Sequence, residues 1–330
     1  MNGTRKYFFV GLNTGFVVDR HPDRRCFDFY AARSGNGLYA AIVGNVTIPG
    51  GVGTNDNTAE ISNHPAWGEL ADNIKARGAV AGIQLANVWP SYRGMKTFVS
   101  RATAREISRY REMVRPVAVY EIERFFCAMQ AGGDLAIKAG FGHIQLHAAH
   151  GYLLSLLIDS RIYPQADMVL SAISEWATRC AAYGIETSIR ISLRTGDEAF
   201  DSIGREAFLD QIASLPVGYV DLSSGFYEID KRLIYPSLPS IVRQRRVESL
   251  AIANRHKHRE FIFSGKASTR IESNFPPNIH IGICRDLIAN PNYMRDNGNG
   301  CINAMRCHYY SRGEPHLTCG RWLTSRKMLE

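Results

Sequence analysis

The sequence predicts a closed (β/α)8 barrel, and three observations carry that expectation. Eight short apolar runs, each the length of a buried strand, recur through the 330 residues. Amphipathic stretches of helix length separate them, and strict β/α alternation means parallel strands joined by crossover helices. No glycine-rich fingerprint follows the first run, which sets aside an open nucleotide-binding sheet.

In chain order the strands are expected at YFFVGL (7–12), YAAIVGNV (39–46), VAGIQLA (80–86), HIQLH (143–147), ETSIRIS (186–192), GYVDLS (218–223), EFIFS (260–264) and IHIGIC (279–284). Each is nearly continuous in apolar residues, as in strands covered on both faces. Stretches such as 119–140 and 239–256 supply the helices. No long linker interrupts the repeat. Residues 1–300 are therefore read as one barrel, and 301–330 as a cysteine-containing extension packed on it.

Composition narrows the class. An apolar fraction of 45% and a charged fraction of 21% belong to a soluble globular chain. No apolar run approaches the roughly 20 residues of a membrane span, and the start has no secretory h-region. A cytoplasmic protein is expected. The seven cysteines are odd in number and point to reduced thiols rather than a disulfide framework. A net charge of +8 favours anionic ligands. Much of it is local, in Arg93, Lys96, Arg101, Arg105, Arg109, Arg111 and Arg115 against Glu106 and Glu112. That segment is either a solvated basic loop or a docking face for a phosphorylated or carrier-bound substrate. Neither nucleic acid nor a membrane is expected as partner, because no aromatic-interleaved basic stripe accompanies the charge.

Chemistry in such a barrel collects at the C-terminal ends of the strands. Thr14 and Asn45 follow the first two, Gln84 the third, His147 to Tyr152 the fourth and Arg190 the fifth. Gly265-Lys266 and Cys284-Arg285 follow the seventh and eighth, the fold's usual phosphate position, with cations beside helix-start N–H groups. Gln84 suits a planar amide-like edge and Arg190 a ring that becomes anionic, although either residue also fits a satisfied barrel polar group. His143, His147, His150 and Tyr152 raise a metal site, a catalytic site and plain packing as alternatives. His143 starts its strand and reads as structural. A metal hydrolase on His147 and His150 lacks carboxylate ligands from neighbouring strand ends.

HAAHGYL at 147–153, with GIQLA (82–86), IRIS (189–192), VDLSSG (220–225) and CRDLIANPN (284–292), resembles the Old Yellow Enzyme family of FMN-dependent oxidoreductases over about residues 6–300. The resemblance implies FMN held by Thr14, Asn45, Gln84, Arg190, Gly265, Lys266, Cys284 and Arg285, with NADH or NADPH as electron donor. It implies His147 and His150 on a substrate carbonyl or nitro oxygen and Tyr152 as proton donor. Trp89 and Tyr92 replace the family's HAGR segment, and DSRIYPQAD after strand 4 is short for the family, so a specialised substrate is expected. CINAMRCHYYSRGEPHLTC resembles the [4Fe–4S] segment of the 2,4-dienoyl-CoA reductase and trimethylamine dehydrogenase branch. Cys301, Cys307 and Cys319 take three ligand positions, and Ala304 falls near the fourth, so a cluster, a degenerate remnant or a zinc site stand as alternatives. The expected activity is ene reduction of a small-molecule substrate. A desaturase, amine oxidation or a non-catalytic flavin-binding partner subunit are the alternatives, with a homo-oligomer left open.

Overall fold

The computed structural model describes residues 4–92, 94, 104–266, 275–296 and 298–322. Eight parallel strands form the barrel: β1 (Tyr7–Phe9), β2 (Ala40–Thr47), β3 (Val80–Ala86), β4 (His143–Ala148), β5 (Glu186–Ser192), β6 (Tyr219–Ser223), β7 (Glu260–Phe263) and β8 (Ile279–Ile283). Neighbours in the sheet follow chain order, and β1 pairs with both β2 and β8, so no edge is left. The first strand is shorter than expected. After Phe9 only Val10 still reaches the ladder, donating its N–H to the Ile283 carbonyl at 3.0 Å. Leu12 instead forms an antiparallel bridge with Gly44.

The helices are α1 (Arg24–Ala31), α2 (Ala66–Lys75), α3 (Ala104–Val114), α4 (Val119–Lys138), α5 (Leu153–Leu157), α6 (Ala166–Ala182), α7 (Glu198–Asp201), α8 (Arg205–Ala213), α9 (Lys231–Ile234), α10 (Pro239–Arg255) and α11 (Arg285–Ala289). Helix α1 starts where the Asp23 carboxylate accepts the Arg25 N–H at 2.8 Å, satisfying one of the free donors of the first turn. The helix expected just after Lys266 lies outside the described residues, as do Arg93, Lys96 and Arg101 of the basic segment.

The strands are not apolar on both faces, and this is what makes a site. Side chains alternate along a strand. Ile144, Leu146, Ile189, Ile191, Val220, Leu222, Phe261 and Phe263 join the core beneath the helices. Their neighbours Gln145, Ser188, Arg190 and Asp221 turn inward and hydrogen-bond one another across the lumen. A run that looks uniformly apolar thus hides a polar inner face at mid-height.

Below that level the lumen is closed. The rings of Phe8, Tyr39, His143, Tyr219 and His280 pack edge-on or tilted against one another. Lys6 Nζ donates to Tyr219 Oη at 2.5 Å, and Glu186 accepts from Tyr219 at 3.3 Å, from Lys6 at 3.4 Å and from Tyr39. His143 bonds Ser188 at 2.8 Å and lies 3.5 Å from Glu186, a structural place. Burial alone would push the Glu186 carboxyl up, but hydrogen bonds from His143 and Tyr39 and the nearby charges outweigh it and hold the group down at about 2. A carboxyl whose folded pKa is depressed stabilises fully above its unfolded value of 4.5 and loses that contribution as pH falls towards 2. The urea midpoint of the wild type is therefore expected to drop across that window more than the midpoint of Glu186→Gln. Parallel pH profiles for the two proteins would refute the coupling.

The last described stretch, 301–322, lies against the barrel mouth. Leu317 donates its N–H to the Thr14 carbonyl at 2.7 Å, and Trp322 Nε1 donates to the Ile288 carbonyl at 3.0 Å. The approach is close at Gly15, where φ is 66° and a Cβ would sit 2.7 Å from the Pro315 oxygen. Only glycine meets both demands.

Candidate active site

The C-terminal strand ends open into a cavity of about 210 Å³. Strand register builds its floor. Gln84 stands opposite Gln145, and Arg190 stands between His147 on β4 and Asp221 on β6. Gln84 Nε2 donates to Gln145 Oε1 at 2.6 Å. Arg190 Nη1 donates to Asp221 Oδ2 at 2.5 Å and its Nη2 to Ser223 Oγ at 3.2 Å. Asp221 is fully buried and also accepts from Gln145 at 3.2 Å and from Ser264 at 2.5 Å. The two residues expected to face a flavin are thus brought together, held by one buried carboxylate.

Strand β4 delivers the second group. His147 comes straight off the strand, and His150 is tied back by its N–H to Ser192 Oγ at 2.9 Å and by Nε2 to Ser223 Oγ at 2.7 Å. The two imidazoles lie 5.0 Å apart, and the Tyr152 ring lies 4.7 Å from His147. Burial, then the Arg190 charge, pushes His147 down to about 3. Burial together with His147, Arg190 and Arg245 pushes His150 well down too. Both rings are neutral at pH 7. Burial and the neighbouring Tyr227 and Tyr92 push the Tyr152 hydroxyl well up, so it keeps its proton.

Gly265, Lys266, Cys284 and Arg285 line the same cavity. Lys266 Nζ is 3.9 Å from Asp286 and 3.4 Å from Asn303 Oδ1. A Cβ at Gly265, where φ is 71°, would lie 2.5 Å from Arg245 Nη1, so the glycine leaves room for that buried guanidinium. Arg285 donates Nη2 to the Pro236 carbonyl, but its buried Nη1 finds no hydrogen-bond partner among the described residues. An unspent charged donor on the cavity wall that Lys266 also lines fits an anion.

Asn45 lines the cavity and reaches Thr54 Oγ1 at 3.4 Å. Tyr92 lines it as well, whereas Trp89 stands behind Tyr92, edge-on at 5.0 Å. Thr14 is off the wall. Its hydroxyl accepts the Phe16 N–H at 3.2 Å where the chain turns at Gly15, and the neighbouring Asn13 faces the cavity instead. Of the three C-terminal cysteines only Cys307 lines the cavity. Among the described residues no three His, Cys, Asp or Glu side chains come together as metal ligands would. Cys301, Cys307 and Cys319 are free thiols, three where a [4Fe–4S] cluster needs four.

Sequence reasoning missed much of the wall. Tyr227, Lys231 and Tyr235 come from the loop after β6 and from α9, and His308 to Ser311 come from the C-terminal stretch and complete the rim. Tyr309 and Tyr310 were legible only as spacers inside a cysteine motif.

No family model matches the chain. Over 91 residues it is 35% identical to an NADPH dehydrogenase of Geobacillus thermodenitrificans (strain NG80-2), a match that spans 26% of this chain and 25% of that relative. An NADPH dehydrogenase of Geobacillus sp. (strain WCH70) gives the same figures. Among solved structures, 6-hydroxypseudooxynicotine amine oxidase from Pseudomonas geniculata N1 superposes with a TM-score of 0.71 at 15% identity, covering 96% of this chain and 51% of that one. Old Yellow Enzyme from Pichia sp. AKU4542 superposes with a TM-score of 0.64 at 16% identity, covering 88% and 83%. The fold class is the (β/α)8 barrel.

Proposed function

We propose that the chain is an FMN-dependent oxidoreductase of the Old Yellow Enzyme type, acting on the activated C=C bond of a specialised small molecule. The observation that carries this is the convergence of His147, His150 and Tyr152 on the cavity whose floor is Gln84 and Arg190. The partial likeness to two NADPH dehydrogenases supports the same class and NADPH as electron donor.

Bound FMN would supply reversible hydride chemistry. Gln84 and Arg190 would face its ring, with Asn45 and Cys284 alongside, and Gly265, Lys266 and the unspent donor of Arg285 would take the phosphate. Thr14 is left out of that set because its side chain turns away from the cavity. Asp221 offsets part of the Arg190 charge, so the floor is less cationic than the arginine alone suggests. His147 Nδ1 accepts the Ala149 N–H at 3.4 Å, which leaves the ring proton on Nε2 as a donor. That N–H, with His150, would polarise a carbonyl or nitro oxygen on the substrate. Tyr152 would then protonate the α-carbon, and Tyr92 would set the width of the slot with Trp89 behind it.

The purified protein should be yellow, bleach anaerobically with NADPH and regain colour on adding an enone. A colourless protein that takes up no added FMN would sink the proposal. Bleaching by an amine but not by NADPH would redirect it to amine oxidation.

A further inference from the structure

A proton donor must be refilled in every turnover, and Tyr152 is walled in. It is 4% exposed, with His147 on one side and Tyr92 edge-on at 5.6 Å. Tyr227 stacks on it at 5.6 Å with the rings 16° from parallel. The Tyr152 hydroxyl shares hydrogen bonds with the buried Tyr92 and with Tyr227, and Tyr227 Oη lies 2.5 Å from Tyr235 Oη. Tyr227 and Tyr235 are both partly exposed, and Tyr235 meets the rim at His308, 3.9 Å between ring centres. A substrate seated against the histidines would cover Tyr152, and the hydroxyls of Tyr227 and Tyr235, on the same cavity wall, lead from it to the partly exposed rim.

We propose that Tyr152, Tyr227 and Tyr235 form a proton relay, with the latter two as positioning residues that act through the first. The inference rests on the proposed function. As the Tyr152 O–H bond breaks and a C–H bond forms on the substrate α-carbon, Tyr227 passes its proton to the Tyr152 oxygen. Tyr235 passes its proton to Tyr227, and water at the rim restores Tyr235. Each oxygen ends with one proton, and the proton gained by the product comes from solvent. Burial pushes all three hydroxyls up, so each holds its proton at rest. The 2.5 Å separation is at the short end for O–H···O contacts, and hydrogen-bonded chains polarise one another.

The test uses the flavin-loaded protein with Tyr227→Phe and Tyr235→Phe, each checked first for FMN retention and for its rate of bleaching by NADPH. Both variants should bleach like the wild type but reoxidise with an enone roughly 10-fold more slowly, a modest share of what proton transfer is worth. The solvent deuterium isotope effect on reoxidation should rise, and added imidazolium should restore part of the rate. Unchanged reoxidation would overturn the relay. Slower reoxidation with the isotope effect and buffer response of the wild type would also overturn it, leaving a packing role. If Tyr227→Phe sheds its flavin, Tyr235→Phe decides. A wild type that never bleaches or recolours removes the function itself, a result distinct from any of these.

Discussion

Tyr152→Phe is expected to slow reoxidation by an enone roughly 10²–10⁴-fold, the usual worth of a positioned general acid, while FMN binding and bleaching by NADPH stay as in the wild type. The change removes one oxygen and leaves the ring that packs on His147 and Tyr227. The effect should fall on the proton-dependent half of the cycle alone. Stopped-flow absorbance separates the two halves. Equal losses in both would mean that the hydroxyl orders the site rather than supplies a proton, and no loss would remove its role. The displaced pKa values set the pH dependence. Burial holds both histidines in the neutral form and the Tyr152 hydroxyl in the protonated form, so these three groups should leave reoxidation flat across the neutral pH range.

The second large effect should come from Asp221→Leu. This carboxylate is fully buried and holds Arg190, Gln145 and Ser264 together. Removing it strands the Arg190 guanidinium in the lumen, and breaking a buried pair from one side costs about 3–5 kcal/mol. Guanidinium denaturation should show that loss, together with weaker FMN retention. The double variant Arg190→Met/Asp221→Leu should recover much of the stability but not the flavin, because two apolar partners no longer strand a charge. A single variant as stable as the wild type would show that water reaches Arg190.

Much of this barrel is written locally. The eight apolar runs are legible because buried parallel strands need little else, and their ends could be read as site positions once the barrel was inferred. Gln84, Arg190, His147, His150 and Tyr152 all reached the cavity by that logic. The placements that local sequence does not report share a physical cause. Thr14 spends its hydroxyl on the Phe16 N–H in a turn at Gly15, against which the chain near Pro315 packs from about 300 residues away in sequence. Tyr227 and Tyr235 sit in a loop and at the end of a single helical turn, where no periodicity reports which way a side chain faces. The cysteine spacing near the C-terminus suggests ligands, whereas of Cys301, Cys307 and Cys319 the fold places only Cys307 on the cavity wall, with Cys284.

The ring-and-charge plug at the lower end of the lumen bears on traffic as well as stability. With Phe8, Tyr39, His143 and Tyr219 filling that end, the described residues leave the upper mouth as the doorway to the floor. Under the proposed function, electron donor and electron acceptor would queue for one berth. Either of them in excess would then hold the berth against the other, and throughput would peak at a balance of the two rather than at saturation of both.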